Sequence, residues 1–287
     1  MRGIGVWGGL ALVAAACAAL LPGGAVAAER FDDLLFFQAM DTEPGFSALW
    51  QFSRNAPARD QAAGDYLIDI NETGTWNTLL RESWTAAGDA SAIAPRPTLE
   101  VTADRTGALA LTATDGGGLT ARMERPTEPL FAPIIGATKV GVEFHRAGIE
   151  RGEMRAQGWA IHEIATDDLT DARKVERLAL WDGSGGAIYF TMRGDQTLIA
   201  ARVDSAGSTA IASSSGCRWT NTSESPSGAR YPSSWTLIVP DWKWQAALSA
   251  EGTPSVSSGR IVQQVAGTAV GARGQQRLQG ISDLRLR

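Results

Sequence analysis

The chain has 287 residues, with 26 Lys plus Arg against 31 Asp plus Glu and a formal net charge of −5. No stretch is strongly basic, which argues against a nucleic-acid partner, because phosphate binding needs clustered Lys and Arg. Two Cys and two His exclude a Cys-based metal site and make zinc a poor expectation, so neither a metal nor another cofactor is expected.

Residues 1–28 have the order of a secretory signal peptide: one positive charge at Arg2, an apolar run over 3–21, a Pro-Gly-Gly break, and the small residues Ala25, Val26, Ala27 and Ala28. Cleavage there places the protein in the periplasm or the medium and leaves it without a stable membrane anchor. It also leaves Cys217 alone, so no intramolecular disulfide forms. Residues 31–52 are apolar and aromatic without a clean period, which fits one helical turn or two over Phe31, Leu34, Leu35 and Phe37. A turn is expected at 41–45.

Beyond residue 52, alternation with period two dominates and no long amphipathic helix is expected. Leu99, Val101 and Ala103 alternate with polar residues, turn at 104–107, and resume at Leu109 and Leu111. A second turn is expected at 115–118, and further strands around Val140, Val142 and Phe144, and around Ile188, Phe190 and Met192. Three prolines make 126–133 an extended connector. The charged run 167–173 reads as a loop; Asp167, Asp168 and Asp171 lack the glycine of a calcium loop. The Ser-rich stretch 213–231 also reads as a loop. Trp235, Leu237 and Val239 form a strand that Pro240 breaks before Trp242, Trp244, Ala246 and Leu248. Short strands with a turn every ten residues or so define an all-β sandwich or barrel.

Three pieces of this pattern resemble one known family. They are Gly158-Trp159-Ala160-Ile161-His162-Glu163-Ile164-Ala165, then the strand-turn-strand at 188–198, then Tyr231-Pro232-Ser233-Ser234-Trp235-Thr236-Leu237-Ile238-Val239-Pro240. Their order is similar to that of the lipocalin-like AttH family, which includes the carotenoid 1,2-hydratases. The resemblance implies two lipocalin-like antiparallel β domains, 29–157 and 158–287, packed together around an apolar pocket. It implies a small lipophilic, isoprenoid-like ligand that is bound and, if the chain is an enzyme, hydrated, cyclised or isomerised without a cofactor. In the family an Asp precedes the His-Glu pair; here that position is Ile161. Protonating an isolated alkene needs a strong acid such as a buried, neutral Asp, so the loss of that Asp separates the pocket from the hydratase reaction.

His162 and Glu163 are the candidate acid–base residues, and Trp159, Tyr189, Trp235 and His145 the candidate ligand-binding residues. On a strand His162 and Glu163 point to opposite faces, so they form no dyad with each other. Trp159, Ile161 and Glu163 then share one face, and Ala160, His162 and Ile164 the other. Two alternatives stay open. A secreted carbohydrate-active protein is suggested by ten Trp and by Arg151-Gly152-Glu153-Met154-Arg155, although that segment reads better as a turn with solvated charges. A non-catalytic interaction protein is the third reading.

Overall fold

A computed structural model describes residues 30–39, 46–58, 61–87, 99–114, 118–132, 139–166, 174–194, 196–226, 228–257, 259–272 and 274–286. The expected signal peptide at 1–28, the turn at 41–45, most of the turn at 115–118, and the charged loop at 167–173 lie outside these residues.

The described chain is built from strands, as the alternation predicts. The first ten are β1 (Arg30–Ala39), β2 (Phe46–Ala58), β3 (Gln61–Glu72), β4 (Thr75–Ala87), β5 (Leu99–Ala103), β6 (Leu109–Ala113), β7 (Leu119–Met123), β8 (Leu130–Phe131), β9 (Lys139–Arg151) and β10 (Met154–Thr166). They pair antiparallel in the order β4-β3-β2-β1-β10-β9-β7-β6-β5, with β8 alongside β9. The other nine are β11 (Lys174–Asp182), β12 (Ala187–Arg193), β13 (Gln196–Val203), β14 (Thr209–Ile211), β15 (Gly216–Glu224), β16 (Arg230–Val239), β17 (Trp244–Ser257), β18 (Arg260–Gly271) and β19 (Gly274–Leu286). They pair antiparallel as β14-β13-β12-β11-β19-β18-β17-β16-β15. One short parallel contact, Thr253 beside Thr75, joins the two groups. The chain changes group between Thr166 and Lys174, and the expected domain boundary at 157/158 lies inside β10.

Each group curls around its own apolar core, and a third core fills the seam between them. Leu35, Phe37, Trp50, Ile68, Leu111 and Met123 belong to the first barrel-like core. Leu178, Phe190, Trp235, Leu237, Leu248 and Leu278 belong to the second. Leu34, Phe36, Leu49, Phe144, Trp159, Ile161, Trp181 and Tyr189 pack in the seam. Each fully buried Leu or Phe contributes about 1.5–3 kcal/mol.

These three layers correct two expectations. Residues 31–37 are not helical turns but β1, flanked by β2 and β10. Leu35 and Phe37 face the first barrel while Leu34 and Phe36 face the seam. A strand buried on both faces has no polar alternate positions, so its period disappears from the sequence. The Ser-rich stretch 213–231 is not all loop: Gly216–Glu224 forms β15, pairing with β16 at the edge of its group. Its polarity is that of an edge strand with one wet face, while Cys217 and Trp219 pack against the second core.

The expected turns form where the chemistry requires them. Asp104 Oδ1 accepts from the Thr106 and Ala108 amides, and Gly107 adopts φ +85° to close the β5–β6 turn. Gly152, at φ +57°, joins β9 to β10, so 151–155 is a hairpin turn. Arg155 is exposed there, and Arg151 pairs with Glu72 at 2.8 Å. Pro240 ends β16 in a single 3₁₀ turn (Pro240–Trp242). Gly280 of β19 has a different role: a Cβ there would collide with the Ala179 carbonyl of β11.

Candidate functional site

The turn at Gly152 sets the register of β9 on β10, and that register builds the site. Arg151 lies opposite Met154, so Glu143 lies opposite His162 and His145 opposite Ala160. The row continues across β1, β2 and β3 as His162, Leu35, Trp50 and Ile68. The next row runs His145, Ala160, Phe37, Ala48 and Ile70. Leu35, Phe37, Ala48, Trp50, Ile68, Ile70 and Ala160 all belong to the first barrel core. Glu143, His145 and His162 are therefore the polar group on an apolar inner wall, and all three are buried.

Glu143 Oε1 is the centre of this group. His162 Nδ1 lies 2.8 Å from it and His145 Nε2 3.3 Å from it. The rings of His145 and His162 are tilted by 44° with centroids 5.8 Å apart. His145 Nδ1 donates to the Glu124 carbonyl at 2.8 Å, which fixes its tautomer and aims Nε2 at the carboxylate. His145 Nε2 and Glu143 Oε2 are both buried without a hydrogen-bond partner. Burial works to raise the Glu143 pKa, but the two imidazoles set against its carboxylate outweigh burial and hold it at about 2.

Glu163 points the other way, as the alternation requires, into the seam. Arg177 of β11 donates to its Oε1 at 2.6 Å and Tyr189 to its Oε2 at 2.7 Å, and Thr191 also donates to Oε2. Arg177 lies between Thr191 and Asp283 in the register of β12, β11 and β19. Asp283 accepts from Arg260 at 2.6 Å, and Arg260 reaches Asp69 of β3 at 3.6 Å. Burial acts against the Asp283 charge, but Arg260, Arg285 and Arg177 together hold its pKa below 3.8. Burial and the neighbouring Glu163 push the Tyr189 phenol well above its ordinary value. This chain of alternating charges ties the two groups of strands together across the seam.

Trp159 and Trp235 stand apart from both clusters. Trp159 donates to the Gly185 carbonyl at 3.1 Å, its own carbonyl accepts from Trp181 at 2.7 Å, and Arg146 lies 4.0 Å over its ring. It fastens β10 to the β11–β12 turn. Trp235 lies inside the second barrel, where it donates to Glu176 at 2.6 Å beside Trp219 at 2.7 Å. Burial raises the Glu176 pKa, with the two indole donors working against it.

The structure thus brings His145 to His162 and Tyr189 to Glu163, and separates these pairs from each other and from Trp235. Sequence reasoning did not find Glu143, Arg177 or Asp283. Glu143 was within reach, because the tight turn at 152–153 dictates its pairing with His162. Arg177 and Asp283 meet Glu163 only through docking of distant strands, which no local pattern encodes.

No family model matches the sequence, and no curated protein matches it. Solved structures do match in fold. An AttH-like protein of Nitrosomonas europaea superposes with a TM-score of 0.65 at 14% identity, over 93% of this chain and 98% of that one. Kievitone hydratase from Nectria haematococca superposes with a TM-score of 0.56 at 8% identity, over 90% of this chain and 88% of that one. The chain therefore has the lipocalin-like, all-β fold of AttH-type proteins, the fold that the resemblance in the sequence implied.

Proposed function

We propose that this protein binds a lipophilic, isoprenoid-like small molecule inside the first barrel and transforms it by proton transfer, as in the addition or elimination of water. The observation that carries this reading is the buried Glu143–His145–His162 group on an otherwise apolar wall that includes Trp50, Leu35 and Phe37. Apolar walls with a few converging polar groups are the usual form of a small-molecule site. One similar fold belongs to kievitone hydratase, which supports chemistry of this type.

Ile161 stands where the hydratase motif has Asp, and its side chain is buried in the seam. The acid for an isolated alkene is missing from that position. An imidazole is a weaker acid, suited to a double bond conjugated to a carbonyl. In such an addition the proton passes from the His162 side to one carbon. A water oxygen bonds to the other carbon, and the water's proton returns to the Glu143–His145 side. We place the protein outside the cytoplasm on the strength of its signal-like residues 1–28.

The test is a titration of intrinsic Trp fluorescence with a polyene, a prenyl alcohol and a prenylated enone, beside uronate oligosaccharides, with product mass measured in parallel. Saturable quenching by the apolar ligands, with water gained by the enone, is the expected result. A response to the oligosaccharides alone would overturn the reading in favour of a carbohydrate-active protein.

A further inference from the structure

We infer that Glu143, His145 and His162 form a three-ligand site for a divalent transition-metal ion of the Zn²⁺ class, with a fourth position facing the barrel interior. This deepens the proposed function and rests on it only in placing chemistry at the same cluster; the ion is measured without any organic ligand.

His145 and Glu143 meet without a proton between them. His145 Nδ1 carries hydrogen, because it donates to the Glu124 carbonyl. Its Nε2 then presents a lone pair to Glu143 Oε1 at 3.3 Å, and the two atoms share no hydrogen bond. Two acceptors facing each other in a buried site repel unless a cation lies between them. An extra proton on His145 is one such cation. The geometry favours a metal, for three reasons.

First, one donor atom from each of the three residues lies within 4.8 Å of the other two. Second, bond lengths of 2.0–2.2 Å around a tetrahedral ion separate its ligands by about 3.3 Å, which is the distance between His145 Nε2 and Glu143 Oε1. The His162 contact at 2.8 Å must open by about half an ångström to match. Third, the Glu124 carbonyl behind His145 is the outer hydrogen-bond partner that metal-bound imidazoles ordinarily have, fixing ring and tautomer. Two His and one carboxylate with an open fourth position is the ligand set of catalytic rather than structural zinc. With the ion bound, the three side chains would act as its ligands, and the ion, by polarising a carbonyl and lowering the pKa of a bound water, would take over the proton chemistry assigned to them above.

Protein prepared without a polyhistidine tag is stripped with chelator, then titrated with Zn²⁺ by calorimetry and with Co²⁺ by visible absorption. One equivalent is expected to bind, with the intense bands of low-coordinate Co²⁺, and Zn²⁺ is expected to displace it. His145→Gln and His162→Gln are each expected to weaken binding by about 100-fold or more. X-ray absorption of the wild-type Co²⁺ complex decides the matter if those variants do not fold: two imidazoles and one carboxylate are expected. No binding, binding unchanged in the variants, or an oxygen-only shell would overturn the inference. Apolar-ligand binding in chelator with no metal uptake would overturn it and leave the functional reading standing. Metal uptake with no response to apolar ligands would do the reverse.

Discussion

Among the described residues each barrel buries one carboxylate among apolar side chains, Glu143 in the first and Glu176 in the second, and their partners make the two opposites. Glu143 in the first barrel faces two imidazoles, whose ring nitrogens can either donate or accept. Glu176 in the second barrel faces two indole N–H groups, which donate and do nothing else. Both indole donors are spent on the carboxylate, and the group reads as an anchor for Trp219 and Trp235. Around Glu143 one carboxylate oxygen and one imidazole nitrogen have no hydrogen-bond partner. Burial of a charge does not by itself mark a site; the chemistry of the side chains set against it decides what it can do.

The seam holds both barrels in place, and the largest effect comes from breaking it. Arg177→Met removes the cation shared by Glu163 and Asp283 and leaves two buried carboxylates short of a partner. It should cost about 3–5 kcal/mol in urea unfolding followed by Trp fluorescence. A cost near zero would mean that the charges of the seam do not fasten the barrels.

Next in size, Glu143→Gln should lower turnover of the enone by about 100-fold or more in protein that is still folded at the assay temperature. Glu176→Gln should do the opposite. An amide N–H₂ facing an indole donor costs about 1–3 kcal/mol of stability and leaves turnover near wild type. If the two variants behaved alike, the distinction between site and anchor would fail.

The smallest effect is on acid stability, and its sign differs between the barrels. Glu143 is held at about 2, below its ordinary 4.5. Its contribution is present above pH 4.5 and is lost as pH falls toward 2. The Glu176 pKa is raised by burial, so folding favours its protonated form, and its ionisation costs stability as pH rises through that raised value. Melting curves from pH 7 to pH 3 should therefore flatten below 4.5 in Glu143→Gln and above 4.5 in Glu176→Gln.

How much of this was legible in the sequence depended on distance along the chain. The β5–β6 hairpin, the break at Pro240 and the opposite faces of His162 and Glu163 followed from alternation and turn chemistry within a few residues. β1 was misread because Leu34–Phe37 are buried on both sides, which erases the period. β15 was misread because an edge strand is polar enough to pass for a loop. The Glu143–His162 pair lies one hairpin turn apart, within reach of the same alternation that placed His162. The Glu163–Arg177–Asp283 chain depended on how two sheets dock.

Adjacent residues of β10 serve two compartments: His162 the interior of the first barrel, and Glu163 the seam. A one-residue slip of β10 would exchange them, placing a carboxylate beside Glu143 and an imidazole beside Arg177. Like charges would then meet on both sides of the strand. The β9–β10 turn and the long pairing of β1 with β10, from Phe31 opposite Thr166 to Phe37 opposite Ala160, guard against that slip. β1 therefore sits between its sequence neighbour β2 and the far end of its group, β10, so that the register of one strand fixes which compartment each residue of the other serves.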